Sequence, residues 1–135
     1  MKLSSLHTPR RGGFTLVEIM IVVAIIALLA SIAVPGFLRA RKRSQATRII
    51  NDLRLLDSSL DLYALENNKL SGALASFNDL KSYLKKGGIL YSTGNDVLGN
   101  QFGPTFTVDL LPRVPATTRD ALSDVANTAF WSPFQ

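Results

Sequence analysis

Residues 14–34 read FTLVEIMIVVAIIALLASIAV, a run of 21 residues with a single charge, Glu18. As an α-helix rising about 1.5 Å per residue, this run is long enough to cross a hydrocarbon core of ~30 Å. A helix that is apolar all round needs either lipid or a large protein core around it, and a chain of 135 residues has no core of that size. The run is therefore a membrane segment or a signal, and the rest of the sequence is arranged about it.

Working outward, the charges bracket the run. Lys2, Arg10 and Arg11 precede it, while Arg39, Arg41, Lys42, Arg43, Arg48 and Arg54 follow it with only Asp52 among them. From residue 55 onward acidic residues outnumber basic ones, so the formal net charge of +5 does not describe the C-terminal part. That part is weakly acidic, which makes direct duplex binding there unattractive and leaves only residues 39–54 as an electrostatic candidate for nucleic acid. The basic flank could equally meet lipid headgroups, face carboxylates of neighbouring subunits or form a solvated helix face.

The chain contains no cysteine, and its one histidine, His7, lies in the short polar stretch before the apolar run. A disulfide framework, a Cys-ligated metal and a Cys nucleophile are thereby excluded. Once the N-terminal stretch is removed, neither His nor Cys remains for a nucleophile–base pair or a transition-metal site. No P-loop, zinc spacing or strand–G-x-G-x-x-G–helix context occurs. The sequence reads as a protein without a catalytic centre, metal or cofactor.

An ordinary secretory signal accounts for part of this pattern: a basic start, an apolar stretch and the small residues Ser31-Ile32-Ala33, with cleavage leaving Val34 first. It leaves two features unexplained. Glu18 lies inside the apolar run, where a carboxylate costs about 2.5–3.5 kcal/mol at mid-bilayer and less near the edge. Gly12-Gly13 stands between Arg10-Arg11 and Phe14, a flexible and sterically open dipeptide of the kind a protease can draw out as extended backbone.

Taken together, Arg11-Gly12-Gly13-Phe14-Thr15-Leu16-Val17-Glu18 resembles the class III signal of type IV pilins and type II secretion pseudopilins. The resemblance extends through Pro35 and Gly36. It implies a leader, residues 1–13, recognised through Arg10, Arg11, Gly12 and Gly13, and cut after Gly13 by a membrane-embedded prepilin peptidase/N-methyltransferase that methylates the new N-terminus at Phe14. It also implies that Glu18 meets the Phe14 amine of a neighbouring subunit as that subunit enters a helical filament. An ammonium and a carboxylate attract strongly in low dielectric. Alternatively, Glu18 snorkels to the nearby interface. The family places the leader in the cytoplasm, an orientation that charge counting does not support because the outer flank is at least as basic.

After the membrane segment, Pro35-Gly36 predicts a kink or local unwinding within residues 14–36. The helical period then resumes. Ala46, Ile49, Ile50, Leu53, Leu56, Leu60 and Tyr63 recur at three- and four-residue spacing, so residues 37–67 read as an amphipathic continuation of the same helix. Asp57, Asp61 and Glu66 fall off this stripe and read as solvated residues, not as metal ligands.

Residues 68–135 read as a small α+β head. Ser76 with Asp79 predicts a capping box opening a helix over 77–86, ended by Gly87-Gly88. Residues 89–91 and, more clearly, 105–110 are strand candidates. Thr117 with Asp120 predicts a second short helix burying Ala121, Leu122, Val125 and Ala126. The aromatic end, Phe130, Trp131 and Phe134, reads as a seal between the head and the long helix. Asp96-Val97-Leu98-Gly99-Asn100-Gln101-Phe102 is similar to the pseudopilin pattern Asp-x-x-Gly-Asn-x-aromatic, and also reads as a plain turn. Some pseudopilins bind calcium nearby, but Asp96 and Asp109 alone make no dense ligand set. The cysteine pair of many pilins is missing.

The expected fold is thus pilin-like α+β: a long N-terminal helix, transmembrane in its first half and amphipathic in its second, carrying a head with a short antiparallel sheet and short helices. The expected function is a structural subunit of a type IV pilus-like filament, a homo-oligomer held first in the inner membrane and its lipid, then assembled by a platform and motor machinery into a surface or periplasm-spanning filament. The major pseudopilin of a type II secretion system is the first alternative. A membrane-anchored or secreted binding module with an ordinary signal is the second.

Overall fold

The computed structural model describes residues 12–135, which form two units, one ending at Phe37 and the other Leu38–Gln135. Helix α1, Leu16–Glu66, contributes to both.

In the first unit, α1 is apolar on every side and its side chains are exposed, including Ile19, Ile25, Leu29 and Ile32. It is long and apolar enough to cross a membrane, and no part of that apolar window is covered by the rest of the described chain. The helix does not unwind at Pro35-Gly36: the helical conformation continues through both residues. Pro35 takes only one N–H from the ladder, the donor that would have served Ser31, and well-formed turns on either side hold the conformation.

In the second unit, the periodic stripe of α1 is buried as expected. Ala46, Ile49, Leu53, Leu56 and Leu60 are essentially inaccessible, and Tyr63 packs at the margin. They share one core with Leu80, Leu84, Leu90, Phe102, Phe106, Val108, Val114, Leu122, Ala126, Trp131 and Phe134. Each fully buried aliphatic side chain contributes about 1.5–3 kcal/mol. The aromatic end seals this core: Trp131 is wholly buried, and Phe130 meets it edge-on at a centroid distance of 5.3 Å. The helix closes at Asn67, whose side-chain amide donates to the Tyr63 carbonyl at 2.9 Å.

The sheet is a single antiparallel pair, β1 (Leu74–Ser76) against β2 (Thr105–Thr107), with Ala75 opposite Phe106. Flanking bonds from Val108 N–H to the Ala73 carbonyl and from Gly72 N–H to the Val108 carbonyl lengthen the ladder. The strand expected over 105–110 stops at Thr107 because Asp109 takes a left-handed conformation, φ 64°, and the Leu110 N–H turns back to the Thr107 carbonyl. Asp is one of the few non-glycine residues that enters this region readily.

Three short elements differ from expectation. The capping box of Ser76 and Asp79 is present, but α2 covers only Phe77–Leu80 and passes into a 3-10 turn, Lys81–Tyr83. Residues 89–91 are helical, not extended: α3, Ile89–Thr93, runs from Gly88 to Gly94, and its Ser92 and Thr93 hydroxyls donate back to carbonyls one turn earlier. An apolar run of three residues between glycines carries no period that separates helix from strand. Helix α4, Ala116–Ala121, starts at Pro115 without a side-chain cap, so Thr117 does not cap it. Leu122 and Ala126 are buried, Val125 half-buried and Ala121 exposed.

Candidate processing and assembly site

Residues 12–15 are not helical, and α1 begins only at Leu16. Gly12 and Gly13 have open space where a side chain would stand, and Phe14 is 86% exposed. The Gly13–Phe14 peptide bond is therefore carried on accessible, non-helical backbone, the form a protease requires, immediately before the apolar helix. Arg10 and Arg11 lie outside the described residues.

Glu18 has a role that neither pairing nor snorkelling captures. Its carboxylate accepts the Thr15 N–H at 2.8 Å, while the Thr15 hydroxyl accepts the Glu18 N–H at 3.2 Å. This reciprocal pair is a capping box with Thr15 as N-cap. It satisfies two of the helix's orphan donors, and the carboxylate also complements the positive end of the helix dipole. The T-x-x-E spacing at residues 15–18 carried this signal in the sequence. The cap places the Glu18 carboxylate against the residue that follows Phe14, at the end where cleavage would release an ammonium.

Beyond the apolar segment, the basic flank divides. Lys42 Nζ bonds both carboxylate oxygens of Asp124, at 3.0 and 2.9 Å, and holds the Asp124 carboxyl below the usual carboxylate range with help from Arg39. The Arg43 guanidinium lies 5.9 Å from the Phe130 ring centroid. These two cations thus tie α1 to the C-terminal segment, while Arg39 and Arg41 are exposed.

The Asp96–Phe102 stretch folds as a closed turn. Asp96 is 1% exposed; one carboxylate oxygen accepts the N–H groups of Leu98 and Asn100, each at 2.9 Å, and the other accepts the Thr118 hydroxyl. The Asn100 side chain in turn donates to Thr118 Oγ1 at 2.9 Å. Thr118, fully buried, was not identifiable from the sequence as a partner 22 residues away. With both oxygens engaged by protein donors, Asp96 acts as the hub of the turn. Among the described residues no group of three or more His, Cys, Asp or Glu side chains is placed to hold a metal.

Comparison with known proteins bears on the N-terminal end first. The prokaryotic N-terminal methylation motif matches residues 8–34. The chain is 37% identical over 60 residues to type II secretion system core protein G of Aeromonas hydrophila, covering 44% of this chain and 42% of that protein. It is 38% identical over 61 residues to the protein of the same name from Escherichia coli (strain K12), covering 45% and 42%. Similarity also extends to the type IV major pilin protein PilA of Myxococcus xanthus, 40% identical over 67 residues, covering 50% of this chain and 30% of that one. The matched segment thus spans less than half the length of these curated relatives. No solved structure matches.

Proposed function

We propose, from the premise that this chain belongs to the family of type IV pilins and type II secretion pseudopilins, that it is a structural subunit of a pseudopilus of the type II secretion kind. The family is one of structural subunits, not enzymes. The observation that carries the finer reading is the similarity to core protein G from several bacteria, which favours the pseudopilin over the type IV pilus subunit that the sequence by itself put first. The likeness to PilA keeps the pilus as a second reading.

In this account the precursor sits in the inner membrane through residues 14–36 with its leader in the cytoplasm. A prepilin peptidase recognises Arg10, Arg11, Gly12 and Gly13, cuts after Gly13, and Phe14 is N-methylated. The Glu18 carboxylate, already at the helix start as a cap, then serves the Phe14 ammonium of an adjoining subunit, and two charges that would each be costly in lipid neutralise one another. Pro35, short of one hydrogen bond, and Gly36 give the helix a place to bend as the segment passes from lipid to filament. An inner-membrane platform and motor drive that transfer.

Deletion of the gene separates the two filament types. Loss of protein secretion with surface filaments intact supports the pseudopilus; loss of surface filaments with secretion intact assigns the chain to a pilus.

A further inference from the structure

Within the second unit, Arg48, Asp52 and Leu55 stand at spacings of four and three residues, on one face of α1. They form one wall of a groove of about 300 Å³, whose other wall is the segment from Leu84 to Tyr91. Its apolar lining is partly open to solvent, since Leu55 is 48% and Ile89 41% exposed. The volume lies at the lower end of the range for small-ligand sites, roughly 300–1,000 Å³. Gly87 has open space where a side chain would stand, so the loop does not roof the groove.

The charge of the groove runs against that of the head. Residues from 55 onward are weakly acidic, yet three of their six basic residues, Lys81, Lys85 and Lys86, fall within six positions of one another. Lys81 is occupied by the Tyr91 ring, whose centroid lies 5.0 Å from its Nζ. Arg48, Lys85 and Lys86 are exposed and have no ion-pair partner, since the ion pair among the described residues is Lys42–Asp124. Three free cations against the one carboxylate of Asp52 leave a cationic rim around an apolar lining. A peptide that presents carboxylates beside an aliphatic side chain matches both properties. A nucleic-acid strand matches less well, because its bases need open aromatic faces, and Lys81 lies over the face of Tyr91. A second copy of this chain is also a poor source. No two of its ten acidic residues are nearer than four apart; Asp57 and Asp61 stand on α1 itself, and Asp124, four after Asp120, is held by Lys42.

We infer that the groove between α1 and the Lys85–Gly88 loop binds a short acidic segment of a different protein, an aliphatic side chain seated on Leu55 and Ile89 and flanking carboxylates met by Arg48, Lys85 and Lys86. Asp52 opposes this binding and restricts it to ligands whose carboxylates reach the rim cations without crossing the groove. The site lies on the head's side of the chain and holds whether the subunit serves a pseudopilus or a pilus.

The test is a fluorescence-anisotropy titration of the full chain, in non-ionic detergent, against a labelled acetyl-Gly-Asp-Glu-Leu-Glu-Gly-amide peptide. Saturable binding is expected, and it should be lost when the three acidic side chains of the peptide are replaced by their amides. Lys85→Gln and Lys86→Gln should each weaken binding by about two- to fivefold, the range of one exposed ion pair, and Asp52→Asn should tighten it by a similar factor. Arg113→Gln, a loss of one exposed cation outside the groove, should leave binding unchanged. The opposite signs for the lysines and Asp52 are a result that damage to the fold does not produce. Failure to saturate, equal binding of the amide peptide, or equal weakening by Arg113→Gln overturns the inference. So does a single-stranded DNA oligomer that binds as tightly and responds to the same variants, which makes the groove a general polyanion site. Self-association of the chain that the acidic peptide displaces assigns the groove to a second copy and overturns it as well.

Discussion

Asp96 shows most clearly how a single side chain organises the head. Its carboxylate collects two backbone N–H groups and one hydroxyl in a site that water does not reach. Asp96→Ala leaves those donors buried without an acceptor, and the expected loss is about 3 kcal/mol of unfolding free energy, measurable by denaturant unfolding of the full chain in detergent. Asp52 is the opposite case. Burial pushes its carboxyl above the ordinary value of 3.8, Arg48 opposes the shift, and Asp96 reinforces it. A raised folded-state pKa means that the folded chain holds this proton more tightly, so the associated stability is present below the ordinary value and is lost as pH rises through the raised one. Asp52→Asn should therefore melt at a higher temperature than wild type at neutral pH, with the difference vanishing in acid. The Asp96 turn was legible from its Gly and Asn residues. Its burial was not, because an aspartate reads as solvent-facing until a partner such as Thr118 is located in space.

At the scale of elements, legibility followed length. Helix α1 was readable because its stripe of buried residues repeats over several turns, so the period outweighs local noise. The elements β1, α3 and α4 have three to six residues each, too few to display a period, and were fixed instead by tertiary partners and glycines. Gly94 is one such determinant. It caps α3 at φ 72°, and a Cβ there would lie 3.1 Å from the Phe77 ring. Gly94→Ala combines left-handed strain with that close approach and is expected to cost about 1–3 kcal/mol, read as a lowered denaturation midpoint with unchanged helix content. The Ser76–Asp79 cap was readable because a capping box is local in sequence. By the same rule the Thr15–Glu18 cap, three residues apart, is equally local in sequence.

At the scale of the molecule, the two ends of the chain perform separable tasks. The N-terminal end carries the methylation motif, an open Gly12-Gly13 dipeptide and a charge inside an apolar helix, and these were legible because each is a local pattern in the sequence. The ties that hold the head to α1 were not, since Lys42 and Asp124 are 82 residues apart. The absence of His and Cys after Gly13 fits the structural subunit proposed above. The central claim is that this chain is processed and assembled as a pilin-type subunit, and the mass of the N-terminal peptide of the protein recovered from membranes tests it most directly. The account predicts a peptide beginning at Phe14 and heavier by one methyl group; a peptide beginning at Val34, or an intact Met1 terminus in cells with an active prepilin peptidase, would contradict it.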